Sequence, residues 1–183
     1  MSRPAWHRST SPVYFTAASL DGFIVDEHDS LDWLVHRDID PDARFGYRDF
    51  ERTVGALVLG SATSEWIRAN QPGPWPYAVP TWVLTGRPGI VADGHPVRPF
   101  AGPVGELHPR LLAAAGQRNV WVMGGGDVAA QFVAAGLVDE LIVGYAPCTL
   151  GAGRPLLPAR SEWVLAESGV NGAFLCARYT RRR

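Results

Sequence analysis

The sequence predicts a three-layer α/β domain with a mostly parallel central sheet and an antiparallel edge near its carboxyl terminus. Short apolar segments typical of buried strands alternate with segments of helical periodicity through most of the chain. Two strand-like segments, residues 163–166 and 174–179, then follow one another around Asn171-Gly172, which predicts a hairpin. Alternating strands and helices form parallel sheets covered on both faces, and the hairpin adds the antiparallel edge.

The length and composition indicate one globular domain. The chain has 183 residues, of which 46% are hydrophobic, enough for one buried core but cramped for two domains. A formal net charge of -1 gives no bulk signal for binding nucleic acid or an anionic membrane. The two cysteines make neither a disulfide framework nor a metal quartet, so we expect no metal site. Without a membrane-length apolar run or a signal-peptide core, the sequence predicts a cytoplasmic protein.

The first half of the chain is predicted to hold strands, two helices and one long loop. Residues 1–11 are polar and are expected to form a flexible extension, so that the core runs from about 13 to 180. One helix is predicted from Asp42, with Phe45, Phe50 and Val54 on one face, and a second over 61–69, capped by Ser61 or Thr63. The loop 26–41 holds one short helical turn. The predicted strands are 13–18, 23–25, 56–59 and 81–85.

The second half is predicted to be a helix, a central strand–helix–strand unit and a final hairpin. Residues 90–105 are too rich in glycine and proline for more than a short strand, and 107–115 form a helix. The central unit consists of a strand at 120–123, a helix from Asp127 to the stop at Gly136, and a strand at 141–143. Residues 148–160 form a loop punctuated by glycine and proline before the hairpin.

The central unit places three consecutive glycines, residues 124–126, between its strand and its helix. Glycines there let the backbone approach a ligand closely, and the free amides and dipole at a helix start favour an anion. Together these features form a phosphate cradle. The alternative is a tight turn where the helix packs against the sheet, and the local pattern fits both interpretations.

Polar and glycine-containing segments follow four predicted strands, at 19–22, 60–63, 85–87 and 124–127. Because ligands of parallel α/β sheets bind beyond the carboxyl ends of the strands, we expect these segments to converge on one edge. Asp21 lies in the first segment, where a strand is interrupted, and is a candidate functional acid; alternatively it only bonds its own turn. Asp32, beside Trp33, is a second candidate acid or an ordinary surface aspartate.

Five segments carry a resemblance to a known family. In chain order they are AASLDG at 17–22, LGSAT at 59–63, VMGGG at 122–126, GLVDEL at 136–141 with YAP at 145–147, and LGAG at 150–153. Their order and spacing resemble the dihydrofolate reductase-like superfamily over nearly the whole chain, from about 13 to 179. The similarity is greatest to its stand-alone members and to the reductase domain of bacterial riboflavin biosynthesis proteins.

The resemblance implies an NADPH across the carboxyl edge of the sheet, with the glycine triplet, which often holds a cis Gly-Gly peptide in that family, receiving the pyrophosphate. It further implies that Gly60 and Thr63 lie at a second phosphate-side segment, that Arg87 lies near the adenosine 2′-phosphate, and that Ala17 and Ala18 lie beside the nicotinamide. The cofactor-binding residues implied in this way are Ala17, Ala18, Gly60, Ser61, Thr63, Thr85, Gly86, Arg87, Met123, Gly124, Gly125, Gly126, Asp127 and Val128.

Two residues depart from the pattern of folate reductases. Ser61 stands where those enzymes carry an arginine, as in the riboflavin-type branch, and Asp127 puts a negative charge at the helix start, where it could cap the amides. We therefore expect an NADPH-dependent reductase of a small heterocyclic or carbonyl substrate, with Asp21, Asp32 or an ordered water delivering the proton.

Two alternatives to this reductase remain open. One is the riboflavin-pathway phosphoribosylaminouracil reductase, with Arg154 as candidate for the substrate phosphate, and the other is a nucleotide-binding protein without catalysis. We also expect a homodimer, because Trp163, Leu165, Phe174 and Leu175 in the final strands exceed what one small core would cover.

Overall fold

The structure is a computed structural model that describes residues 12–87, 89, 91 and 97–182. The predicted flexible extension, residues 1–11, lies outside the described residues. The helices within the described residues are α1 (Asp32–Val35), α2 (Tyr47–Glu51), α3 (Ser61–Asn70), α4 (Val104–Ala115) and α5 (Gly126–Ala134). The strands are β1 (Pro12–Ser19), β2 (Phe23–Val25), β3 (Val54–Gly60), β4 (Thr81–Leu84), β5 (Val97–Phe100), β6 (Asn119–Gly124), β7 (Glu140–Ala146), β8 (Arg154–Pro155), β9 (Trp163–Asn171) and β10 (Phe174–Arg181).

Among the described residues, eight strands form one sheet in the order β5-β4-β3-β6-β1-β7-β10-β9. The strands from β5 to β7 run parallel, whereas β10 pairs antiparallel with both β7 and β9. At the centre of the sheet, Tyr14 of β1 lies opposite Val122 of β6 and Leu141 of β7. The predicted mostly parallel sheet with an antiparallel carboxyl-terminal edge is confirmed.

The two faces of the sheet pack against different helices. On one face, Leu107 and Leu111 of α4 and Phe132 of α5 are fully buried in a cluster with side chains of β1, β3 and β6. On the other, Phe50 of α2 is buried against strand residues such as Trp121, and α3 contributes Ile67 to a separate small cluster. These layers follow from strands that are apolar on both faces and helices that are apolar on one.

The helix predicted from Asp42 begins only at Tyr47, so that prediction is wrong for residues 42–46. Phe45 has a φ of 66°, in the left-handed region that a helix cannot use. A Cβ on Gly46 would stand 2.2 Å from the carbonyl oxygen of Pro41, which shows how tightly this turn folds onto itself. Val54 belongs to β3, not to the helix.

The predicted side-chain caps are also absent. Gly60 is the N-cap residue of α3, and neither Ser61 nor Thr63 makes a capping hydrogen bond. In the same way, Gly125 is the N-cap of α5, and Asp127 does not cap that helix. Both helices therefore begin, at the carboxyl ends of parallel strands, without a side chain bonded across their first amides.

The final hairpin is fixed to the rest of the fold through its turn. The side-chain amide of the buried Asn171 donates to the carbonyl oxygen of Asp40 over 2.8 Å and accepts from its amide over 3.0 Å. Gly172 has a φ of 55°, and a Cβ on it would stand 2.2 Å from the carbonyl oxygen of Asp38. The predicted Asn-Gly turn is confirmed, and this glycine is required for both its torsion and its close contact.

Within the described residues, no helix is both long enough and apolar enough to cross a membrane.

Candidate functional site

A cleft of about 570 Å³ lies at the carboxyl edge of the parallel strands. Two of the four predicted segments, 60–63 and 124–127, contribute to it, and Leu84 at the end of β4, directly before the 85–87 segment, also lines it. The described lining residues are Ile24, Val25, Asp29, Leu31, Gly60, Ser61, Ala62, Thr63, Glu65, Trp66, Ala69, Asn70, Leu84, Gly125, Asp127, Val128 and Arg154. The cleft therefore combines two uncapped helix starts with an apolar wall.

The three glycines of the triplet have different surroundings. A Cβ on Gly125 would meet no heavy atom closer than Ile24 Cδ1 at 3.8 Å, so this glycine presents bare backbone to the cleft. A Cβ on Gly126 would stand 2.2 Å from the carbonyl oxygen of Pro155, and one on Gly124 3.2 Å from Thr63 Oγ1. Gly126 therefore serves packing, whereas Gly125 faces the cleft, and the phosphate cradle stays a prediction for Gly125.

The Gly124–Gly125 peptide is cis, as the family resemblance implies. Among the other residues implied to bind the cofactor, Gly60, Ser61, Thr63, Asp127 and Val128 line the cleft. The remainder do not line it: Ala17, Ala18, Thr85, Gly86, Arg87, Met123, Gly124 and Gly126.

Arg87 reaches the cleft indirectly. Its Nη2 lies 3.5 Å from Oε1 of Glu65, a lining residue, in an ion pair whose side chains are largely exposed. The turn before Arg87 is held by Thr85, whose hydroxyl accepts from the amide of Arg87 over 3.0 Å. The Thr85–Arg87 turn is therefore beside the cleft mouth.

Asp21 lies away from the cleft lining and bonds more than its own turn. Its carboxylate accepts hydrogen bonds from the Ser19 hydroxyl over 2.6 Å and from the amides of Leu150 and Gly151 over 3.0 and 2.7 Å. These bonds, that from Ser19 foremost, lower the pKa of Asp21 to about 2. Ionised at neutral pH, Asp21 holds no proton to donate, and the geometry favours an anchoring role for it.

The loop that Asp21 anchors leads to β8, which the sequence did not predict. Leu156 donates to the carbonyl oxygen of Gly22 over 2.8 Å and accepts from the hydroxyl of the buried Tyr14 over 2.9 Å. As a result β8 pairs with β2, so that Arg154 enters the cleft lining opposite Val25. Such a two-residue strand has no periodicity that could have revealed it.

Asp32 and Trp33 lie in α1. Asp32 is exposed and absent from the cleft lining, so its catalytic role stays a prediction. Trp33 packs on the hydrophobic cluster that also contacts Ala17 and Met123. Its indole Nε1 is buried without a hydrogen-bond partner among the described residues. An unpartnered buried donor costs about 1–3 kcal/mol, and although Trp33 is absent from the cleft lining, this donor is a candidate to bond a ligand.

The cleft fits a phosphate-bearing nucleotide on two counts. Gly125 exposes backbone at the start of α5, where a larger residue would fill the space that a phosphate needs, and Gly60 brings the start of α3 to the same cleft. Ile24, Leu31 and Trp66 supply apolar surface for a planar base. The carboxylates in the lining, Asp29, Glu65 and Asp127, oppose an anion unless they are neutralised.

Comparison with known proteins agrees with this fold. Residues 109–165 match the model of the RibD C-terminal domain. The chain is 34% identical to the uncharacterized protein YwjB of Bacillus subtilis (strain 168) over 145 residues, which cover 79% of this chain and 80% of YwjB.

Among solved structures, a putative riboflavin biosynthesis protein from Shewanella sp. PV-4 superposes with a TM-score of 0.80 at 27% identity, covering 94% of this chain and 99% of that one. Dihydrofolate reductase from Enterococcus faecalis, complexed with NADP(H) and RAB-propyl, shares the fold with a TM-score of 0.65 at 22% identity, over 95% and 98% of the two chains. The chain belongs to the family of proteins with a RibD C-terminal domain, and it shares the fold of dihydrofolate reductase.

Proposed function

We propose that this protein is an NADPH-dependent reductase of a small heterocyclic or carbonyl substrate. The observation that carries the proposal is the cleft at the carboxyl edge, where Gly125 offers bare backbone at the uncapped start of α5. The dihydrofolate reductase of Enterococcus faecalis, which shares the fold, is complexed with NADP(H), and this supports the choice of cofactor.

NADPH would supply the hydride, and the chain's own residues would supply alignment and exclusion of water. Gly60, Thr63 and Gly125 would hold the phosphate portion, whereas Ala17 and Ala18, at the end of β1, would lie beside the nicotinamide. Because the carboxylate of Asp21 already accepts from three donors, we propose that the proton comes from Asp32 or from water.

Of the two alternatives, the riboflavin-pathway reductase finds support in the Shewanella relative, which is described as a putative riboflavin biosynthesis protein. That reaction requires a cation for the substrate phosphate. Arg154, the candidate for that role, lines the same cleft as Gly125 and Asp127, on the side proposed for the cofactor. This position favours a substrate without a phosphate group.

The proposal is tested by binding and by turnover. NADPH should quench the tryptophan fluorescence of the protein saturably, and stopped-flow mixing with pterins, pyrimidinones, quinones and small aldehydes should reveal an acceptor that oxidises it. Saturable binding with no oxidation by any acceptor class would favour a non-catalytic nucleotide-binding protein. Absence of binding would remove the reductase proposal altogether.

Arg87 is expected to give a preference for NADPH over NADH. Replacing Arg87 with alanine should lower that preference about tenfold, because a hydrogen bond between charged groups contributes roughly 1.5 kcal/mol or more. Fluorescence titration of both cofactors measures it. Arg98→Ala on neighbouring β5, whose guanidinium lies over the Trp82 ring instead, is the control. Equal affinities of the wild type for both cofactors would contradict this role.

Trp33 is expected to bond the substrate through its unpartnered indole N–H. Trp33→Phe keeps the ring and removes the donor, so KM should rise roughly two- to tenfold, the worth of one neutral hydrogen bond. The affinity for NADPH should not change. Trp163→Phe is the matched control, since that indole already donates to Ser161. A normal KM in Trp33→Phe would show that the donor serves no ligand.

We further propose a homodimer formed through the β9 edge of the sheet. Of the four residues expected to exceed what one core covers, Leu165 and Leu175 are 56% and 55% exposed and Trp163 is half-buried. The expectation was wrong for Phe174, which is fully buried in the core. Val170, 75% exposed and paired with Leu175, adds to the apolar surface. Two copies pairing along their edge strands would bury it. Sedimentation at micromolar concentration should give twice the monomer mass, and Val170→Lys should shift that mass toward the monomer. A wild type that sediments as a monomer would rule out the homodimer.

A further inference from the structure

Arg154 is the one cation among the described residues that line the cleft, which also contains the carboxylates of Asp29, Glu65 and Asp127. A polyanion entering such a cleft meets more negative than positive charge. Arg154 is moreover not available as it stands, because its guanidinium forms a two-point hydrogen-bonded ion pair with Asp29, with Nη2 2.8 Å from Oδ2. The charge that an anionic ligand needs is therefore held by a carboxylate of the chain itself.

Both members of this ion pair are positioned by the backbone around them. Asp26 accepts from the amides of His28 and Ser30 over 2.9 and 2.8 Å and so shapes the loop in which Asp29 takes a φ of 57°. Arg154 lies on β8, directly after Gly153, whose backbone packs against Val25; a Cβ there would stand 2.0 Å from the Val25 carbonyl oxygen. Two segments 125 residues apart in sequence thus meet at the cleft.

The surroundings of Arg154 suit a phosphate. The residue lines the same cleft as Gly125, the bare N-cap of α5, and its guanidinium also interacts electrostatically with Asp127 in the first turn of that helix. A planar guanidinium bonds a carboxylate and a phosphate with the same paired geometry. The Asp29 carboxylate therefore occupies Arg154 in the way that a phosphate would.

We propose that Arg154 binds the cofactor pyrophosphate, and that Asp29 acts as an internal competitor that releases Arg154 when the cofactor enters. This inference rests on the proposed function and adds Arg154 and Asp29 to the cofactor-binding residues that the family resemblance implies. It predicts that changing the two members of this ion pair affects cofactor affinity in opposite directions. Loss of Arg154 weakens binding, whereas loss of the Asp29 charge strengthens it.

The experiment is a double-mutant cycle read by equilibrium binding of NADPH and NADH to the full chain. Arg154→Gln should weaken both cofactors about tenfold or more, because both carry the pyrophosphate. Asp29→Asn should strengthen both about threefold or more; asparagine tolerates the left-handed torsion at this position. In the double variant the gain from Asp29→Asn should vanish, since there is no arginine to release. Inorganic pyrophosphate should compete with NADPH, and less well in Arg154→Gln.

Arg182→Gln is the matched control, because it breaks another exposed arginine–carboxylate pair, with Glu162, outside the cleft lining. It should leave the affinities for NADPH and NADH unchanged.

Melting temperatures of every variant separate loss of fold from loss of binding. If both single variants bind normally, or both bind more weakly, the pair only holds the loop and the assignment is wrong. A rise in substrate KM with normal cofactor affinity in Arg154→Gln would assign Arg154 to the substrate instead. A wild type that binds no NADPH would refute the proposed function itself.

Discussion

Gly125→Ala should weaken NADPH binding by about tenfold or more while leaving the melting temperature unchanged. The backbone of Gly125, with φ −80° and ψ −175°, is open to any residue, and a Cβ would make only an ordinary contact with Ile24 at 3.8 Å. The fold therefore tolerates the added methyl. The cleft does not, because the methyl stands where the backbone would approach the pyrophosphate.

The measurement is a fluorescence titration and a thermal melt on the same preparation. Gly105→Ala makes the same chemical change in α4, where a Cβ meets no atom within 4 Å, and should leave the affinity unaltered. If Gly125→Ala bound NADPH as tightly as the wild type, the glycine would have no role in holding the cofactor, and the central observation behind the reductase proposal would be lost.

Gly126→Ala should instead destabilise the protein, with a cost at or above the upper end of the roughly 1–3 kcal/mol typical of overpacking. Its Cβ would stand 2.2 Å from the carbonyl oxygen of Pro155 and 3.0 Å from that of Leu156, and backbone cannot give way as a flexible side chain can. We expect the melting temperature to fall by roughly 5–10 °C. Chemical denaturation of Gly125→Ala and Gly126→Ala side by side provides the comparison, and equal stabilities would show that α5 does not pack on Pro155 and Leu156.

The sequence by itself was enough to predict the sheet with its helical layers and the turn at Asn171-Gly172. These features depend on short-range patterns: apolar runs, helical periodicity and turn chemistry each occupy a dozen residues or fewer. The same patterns brought the Gly60–Thr63 segment and the glycine triplet to one edge, because parallel strands end on the same side. Local pattern failed at residues 42–46, where the positive φ of Phe45 overrides an apparent helical face.

Only the tertiary structure decided what individual residues at that edge contact. Two of the three donors to Asp21 are amides 129 and 130 residues away, and Arg154 meets Asp29 because the two-residue strand β8 pairs with β2. Three adjacent glycines look alike in sequence, yet Gly126 is closely packed and Gly125 is bare. The difference arises because the carbonyl oxygen of Pro155 lies against Gly126, whereas no backbone atom of the described residues lies against Gly125. Such contacts join segments far apart along the chain, so they depend on how strands and loops pair in space, which no local pattern records.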